Sequence, residues 1–222
     1  MAYEKLLNEI YAAVTLKYLC PQYQPGFIKN ESPDWINETM DFGMEVSQAL
    51  VPEDGKTEYF IEQYLGCLKE ELPEMAYEIY GERLHFYNGR FWAVLPDKET
   101  EENYIEKAKY RFDKKLEKLN KNYKNKSQNG LYLFLHPSDE KKIDAYELFQ
   151  YMKEQQEDKK VKFDWVFLNC VKVIYVCDFK NNELDPIVLP QNAEMFLNAE
   201  AEHLRNACEW EDGTVLDEVA GK

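Results

Sequence analysis

The sequence predicts an α/β fold, a mixed central β-sheet flanked by helices. Three features carry that reading. Leu131-Tyr132-Leu133-Phe134-Leu135 is a continuous apolar run bounded by turn residues, the pattern of a strand buried on both faces. Residues 163–168 and 171–179 are two further runs of this kind. Between the first and second, residues 144–155 show helical periodicity, with Ala145, Leu148, Phe149 and Met152 on one stripe. Helices placed between buried strands imply a largely parallel sheet covered on both sides.

The other elements follow in chain order. Residues 3–18 form a helix whose Leu6, Leu7, Ile10, Tyr11, Val14 and Tyr18 share a stripe, while Glu4 and Glu9 lie off it, on a face expected to be solvated. Pro21, Pro25 and Gly26 mark a loop, and Phe27-Ile28 a short first strand. A helix opens at Lys56-Thr57-Glu58 after the break at residues 51–55, and Glu70, Glu71 and Pro73 close it. Residues 83–95 read as a hairpin, because Asn88-Gly89 supplies the two positive φ angles of a type I′ turn. That hairpin is an insertion, around residues 70–100, between core helices. Residues 101–123 form a long helix with Tyr104, Ile105, Ala108, Phe112, Leu116 and Leu119 on its apolar face. Gln128-Asn129-Gly130 then turns the chain into the first buried run. A helix over 193–208 and an acidic tail complete the chain. The division is one α/β domain over 1–185, with 186–222 packed on it or trailing from it.

Composition bounds the function. With 222 residues, 45% hydrophobic and 14% aromatic, the chain can build one full core. No apolar run is long enough to span a bilayer. The five cysteines are scattered and form no C-x-x-C, so free thiols in a cytoplasmic protein are expected. The three histidines have no metal-ligand spacing. Gly55-Lys56-Thr57 lacks the upstream glycine of a phosphate loop, and no Gly-x-Ser-x-Gly occurs. Lys and Arg number 27 against 42 Asp and Glu, a net charge of −15, which disfavours unspecific nucleic-acid binding. The one basic concentration is the helix region 107–126, with Lys107, Lys109, Arg111, Lys114, Lys115, Lys118 and Lys121. It offers either a phosphate-binding face or a solvated one with i,i+4 ion pairs.

The candidate site lies in residues 31–50. Pro33-Asp34-Trp35-Ile36 starts a strand, Thr39 to Asp41 turns, and residues 43–50 form a second strand. Alternation sets Met44 and Val46 on one face and Glu45 and Ser47 on the other. In a hairpin, Asp34 and Glu45 converge near one sheet edge. Two carboxylates so placed suit a hard divalent cation such as magnesium or manganese, which takes oxygen ligands.

Pro33-Asp34, a hairpin-length gap and Glu45-Val46-Ser47 together resemble the PD-(D/E)xK nuclease superfamily. The resemblance extends over residues 1–180 in element order and over this short motif in identities. It implies a restriction-endonuclease-like core, and an enzyme that hydrolyses phosphodiester bonds in nucleic acid. It also implies metal held by Asp34 and Glu45, with a carboxylate, Glu4 or Glu9, from the first helix. The family's lysine, two residues after the glutamate, is Ser47 here. Lys56 or Lys118 would then supply the ammonium that steadies the attacking water, Lys115 being the alternative on the basic helix that could reach the carboxylates, with Ser47 hydrogen-bonding nearby. The acidic balance, the absent lysine and the aromatic hairpin around Trp92 support a second reading, a non-catalytic protein-binding module on the same fold.

Overall fold

The computed structural model describes residues 2–19, 26–49, 52–95, 101–122, 126–135 and 143–220. It is a mixed α/β architecture with a seven-stranded central sheet. In chain order the sheet elements are β1 (Ile28–Lys29), β2 (Trp35–Asn37), β3 (Phe42–Gln48), β6 (Gln128–Phe134), β7 (Trp165–Asn169), β8 (Val173–Asp178) and β9 (Glu183–Val188). They lie side by side in that same order. A separate two-stranded sheet holds β4 (Leu84–Tyr87) and β5 (Arg90–Val94).

The helices are α1 (Ala2–Leu19), α2 (Pro52–Tyr64), α3 (Glu74–Tyr80), α4 (Glu101–Asn122), α5 (Ala145–Gln155), α6 (Ala193–Ala207) and α7 (Leu216–Ala220). One side of the sheet packs on α1 and α6, through Ile10, Val14, Trp35, Met44, Tyr132, Leu197 and their neighbours. The other packs on α4 and α5, through Phe112, Leu116, Leu131, Leu133, Phe149 and Val166. Strand alternation sends Leu131 and Leu133 to one core and Tyr132 and Phe134 to the other, which explains the unbroken apolar run. A third, small core unites α2, α3, β4 and β5 around Phe91, Tyr80 and Leu84. It contains the expected hairpin, whose turn has Asn88 and Gly89 at φ 51° and 75°.

The sheet is less parallel than the sequence suggests. Only β3–β6 and β6–β7 run parallel; β1–β2, β2–β3, β7–β8 and β8–β9 are antiparallel. The reason is the short connections on either side of β8, which leave no room for a crossover helix. The strand β9 contains Pro186, a residue that argues against a central strand and is tolerated here at the sheet margin. It crosses residue 185, so the expected division at 185/186 falls inside a strand. The acidic tail also packs: Lys29 N–H donates to the Thr214 carbonyl at 2.8 Å, and Leu216 and Val219 are buried.

Two glycines permit close approaches at the site end of the sheet. A Cβ on Gly130 would meet the Phe42 ring at 2.6 Å, and the turn-like Gln-Asn-Gly is strand rather than loop because it pairs in register with Phe42, Gly43 and Met44 of β3. A Cβ on Gly43 would meet Pro33 Cγ, also at 2.6 Å. Glycine there lets the segment before Asp34 lie against β3. The helix α2 begins at Pro52, four residues before the expected start, with proline in the first turn where its missing N–H costs nothing.

Candidate functional site

The antiparallel register pairs Trp35 with Met44, so Asp34 and Glu45 are brought to neighbouring positions at the start of β2 and within β3. They do not lie at a sheet edge: β2 and β3 are the second and third of seven strands. Both side chains are almost fully buried, Asp34 at 3% and Glu45 at 2% exposure. Glu9 is buried as well, at 3%. The solvated face expected for it is absent, because α1 is covered on more than its apolar stripe: Ala12, Ala13, Thr15 and Leu16 are also buried. The Trp35 indole N–H donates to the Glu9 carbonyl at 2.9 Å and ties that turn of α1 to β2.

Buried carboxylates need partners, since an unpaired charge in a poorly solvated site is expensive. Here the partners are mostly ammonium groups. Lys115 and Lys118 of α4 donate to the two oxygens of Glu45 at 2.5 and 3.0 Å. Lys29 pairs with Glu9 Oε2 at 3.2 Å, and Lys5 stands 3.3 Å from Glu9 Oε1. Lys5 is also 3.8 Å from Asp34 Oδ1. The other Asp34 oxygen accepts the Val46 N–H at 2.7 Å, which fixes the carboxylate against β3. Glu9 Oε1 is buried and accepts no hydrogen bond.

The electrostatics follow from this crowding. Burial, then the charges of Glu45 and Glu9, push Asp34 up to about 7, against the pull of the Val46 N–H and Lys115. Burial draws the Lys5 ammonium down, but Glu9, Asp34 and Glu45 outweigh it and hold it above the ordinary lysine value.

Ser47 occupies the position where the resembled motif has lysine. It faces α4, as alternation from Glu45 requires, and its hydroxyl accepts from Arg111 Nε at 2.6 Å. Arg111, Lys115 and Lys118 are spaced i, i+4, i+7 and form one stripe of α4 laid along β3. The two lysines and Ser47 are therefore together, as the sequence suggested for Lys118 and Ser47. Lys56 is not part of the cluster: it is exposed on α2, and among the described residues no ion pair joins it to Asp34 or Glu45. The helix brings cations to the site from a distant part of the chain, so a lysine just past the hairpin is not needed. The Glu4 side chain lies outside the described residues.

Lys5, Lys29 and Arg111 belong to the site but were not singled out as members of it from sequence. Lys5 had a legible signal, its i,i+4 spacing from Glu9. Arg111 had one too, its four-residue spacing from Lys115. Lys29 had none, because only tertiary packing sets β1 beside α1.

The oxygen donors suit a hard divalent cation, and the free Glu9 Oε1 has acceptor capacity to spare. In the arrangement observed, however, no group of three or more His, Cys, Asp or Glu among the described residues is gathered closely enough to hold a metal. Lysines stand among the carboxylates instead. Comparisons with protein-family models, with curated proteins and with solved structures find no match for this chain.

Proposed function

We propose that this protein is a divalent-cation-dependent phosphodiesterase acting on nucleic acid, built on a restriction-endonuclease-like core of the PD-(D/E)xK kind. The observation that supports it is the burial of Glu9, Asp34 and Glu45 near one another, with Lys115 and Lys118 directed at Glu45. A structure gains little stability from three neighbouring buried carboxylates, one of them raised to about 7. Their presence near one another supports a chemical role.

In this reading Glu9, Asp34 and Glu45 hold magnesium or manganese. The bound cation would supply a water of lowered pKa and neutralise charge on the phosphate. The residues of the chain do the remainder. Lys115, largely buried beside Glu45, orients the attacking water and holds the charge that develops on a phosphate oxygen. Lys118, more exposed, turns toward the substrate phosphate. Arg111 holds Ser47, and through it the spacing between α4 and β3. The motif lysine is thus replaced by a helix lysine rather than lost. The net charge of −15 restricts phosphate contact to the local basic stripe of α4.

A second reading, a non-catalytic protein-binding module, is favoured by the insertion, where Tyr87 and Trp92 are exposed and in ring contact at 6.4 Å. Calorimetric titration with manganese separates the two. The enzyme reading expects binding by the wild type that disappears in Glu45→Ala. Absence of binding by wild type at millimolar manganese would sink it and favour the module.

A further inference from the structure

Lys5 lies between two different carboxylates from two different elements. Its Nζ is 3.3 Å from Glu9 Oε1 on α1 and 3.8 Å from Asp34 Oδ1 before β2. Those two oxygens are the ones left over. Glu9 Oε2 is taken by Lys29, and Asp34 Oδ2 by the Val46 N–H. Glu9 Oε1 is buried yet accepts no hydrogen bond, so its compensation is a charge held near it rather than a formed bond.

The tether differs from those of the other lysines. The Lys5 side chain is 69% exposed, whereas those of Lys29 and Lys115 are 12% and 15% exposed. Lys29 is further fixed by a 2.8 Å bond to the Asn30 carbonyl and by its place over the Trp35 ring. Lys5 can therefore swing into water with its ammonium already largely solvated, leaving the buried oxygens to the incoming cation, whereas Lys29 and Lys115 are held by burial.

We propose that Lys5 is a tethered competitor for the cation site: its ammonium occupies the gap between Glu9 and Asp34 and must leave before a divalent cation enters. This rests on the cation-dependent reading above and adds a control to it. It accounts for why the carboxylates, though mutually close enough to repel, are not gathered into a metal-holding group in the present arrangement. It also makes occupancy sensitive to divalent cation concentration, since monovalent charge already fills the gap at low concentration. Both charges and both oxygens of the gap belong to the chain, so the competition needs no further molecule.

The test is calorimetric titration of manganese into the full-length protein at fixed pH and ionic strength, with wild type, Lys5→Met, Lys5→Arg and Asp34→Asn. Methionine keeps the length and apolar stem of the side chain and removes only the charge. The expected result is binding about twofold to fivefold tighter in Lys5→Met than in wild type, the size of one ion pair with a solvated lysine expressed as affinity. Lys5→Arg keeps the charge and stays within about twofold of wild type. Asp34→Asn loses binding, which ties the signal to this site. Wild-type binding that Lys5→Met leaves unchanged or weakens would overturn the competition while leaving the cation site intact. Binding that survives Asp34→Asn would place the cation elsewhere and overturn the competition too. No binding by wild type or by Lys5→Met would overturn both the competition and the cation reading.

Discussion

Two acidic residues meet lysines of the same helix, and they could hardly be more different. Glu117 lies on the outer side of α4 with Lys121 and Lys114, in water, with half its side chain exposed. Glu45 lies under α4 with Lys115 and Lys118, at 2% exposure. In sequence these lysines form one basic run. In space they form two populations. The outer pairs are ordinary i,i+3 and i,i+4 surface contacts, weakened by the water and salt around them. The inner ones join residues 70 and 73 positions apart and end on a buried acid, with Lys115 largely buried and Lys118 partly exposed. The lesson is that charge runs do not mark a site. The burial of the acid that the run meets does.

Breaking this contrast starts with Lys115→Met. It leaves Glu45 buried with Lys118 alone, and should destabilise the fold by roughly 2–4 kcal/mol in urea unfolding, near the cost of stripping one partner from a buried pair. A loss below ~0.5 kcal/mol would mean that Glu45 is as well solvated as Glu117.

Asp34→Asn sharpens the contrast from the other side. The Asp34 carboxyl is raised in the folded state to about 7, mainly by burial and then by Glu45 and Glu9. The folded protein therefore holds this proton over a range where the unfolded chain, near 3.9, has released it. Its contribution is fully present below the unfolded value and is lost as pH rises from about 4 through 7. Asparagine keeps an oxygen for the Val46 N–H and carries no charge. The variant should be more stable than wild type by roughly 1–3 kcal/mol at pH 8, with the gap closing as pH falls to about 4. A gap that does not change between pH 8 and pH 4 would contradict the buried, repelled carboxylate.

The smallest effect belongs to the outer pair. Glu117→Gln should leave the urea midpoint nearly where it is in wild type and manganese binding unchanged, because its partners are solvated. A larger change would erase the distinction between the two faces of α4.

Much of the sheet was legible because its cues are local. The runs at 131–135 and 163–168 could be nothing but buried strands, and Asn88-Gly89 specified its own turn. The alternation that put Glu45 and Ser47 on one face needed only the strand period, and the structure keeps it, with both toward α4. What escaped was set by packing at a distance. Glu9 reads as a solvated helix residue because the covering of α1 by α6 and the sheet has no trace in the spacing of its apolar positions. The strand β9 was hidden by Pro186, and the ordered tail by its acidity, although Trp210 rests against Trp35 at 5.8 Å between ring centres. Lys56 was attractive because it is near in sequence; Lys115 is near in space.

The most direct test of the central claim is cleavage of end-labelled single- and double-stranded DNA and RNA in millimolar manganese, by wild type and by Lys115→Met, well below their unfolding temperatures. The account predicts that wild type cuts at least one of these polymers, that a chelator stops it, and that Lys115→Met is slower by about 100-fold or more, as for the loss of a main electrostatic stabiliser. Failure of wild type to cut any of them, or a Lys115→Met variant as fast as wild type, would contradict it.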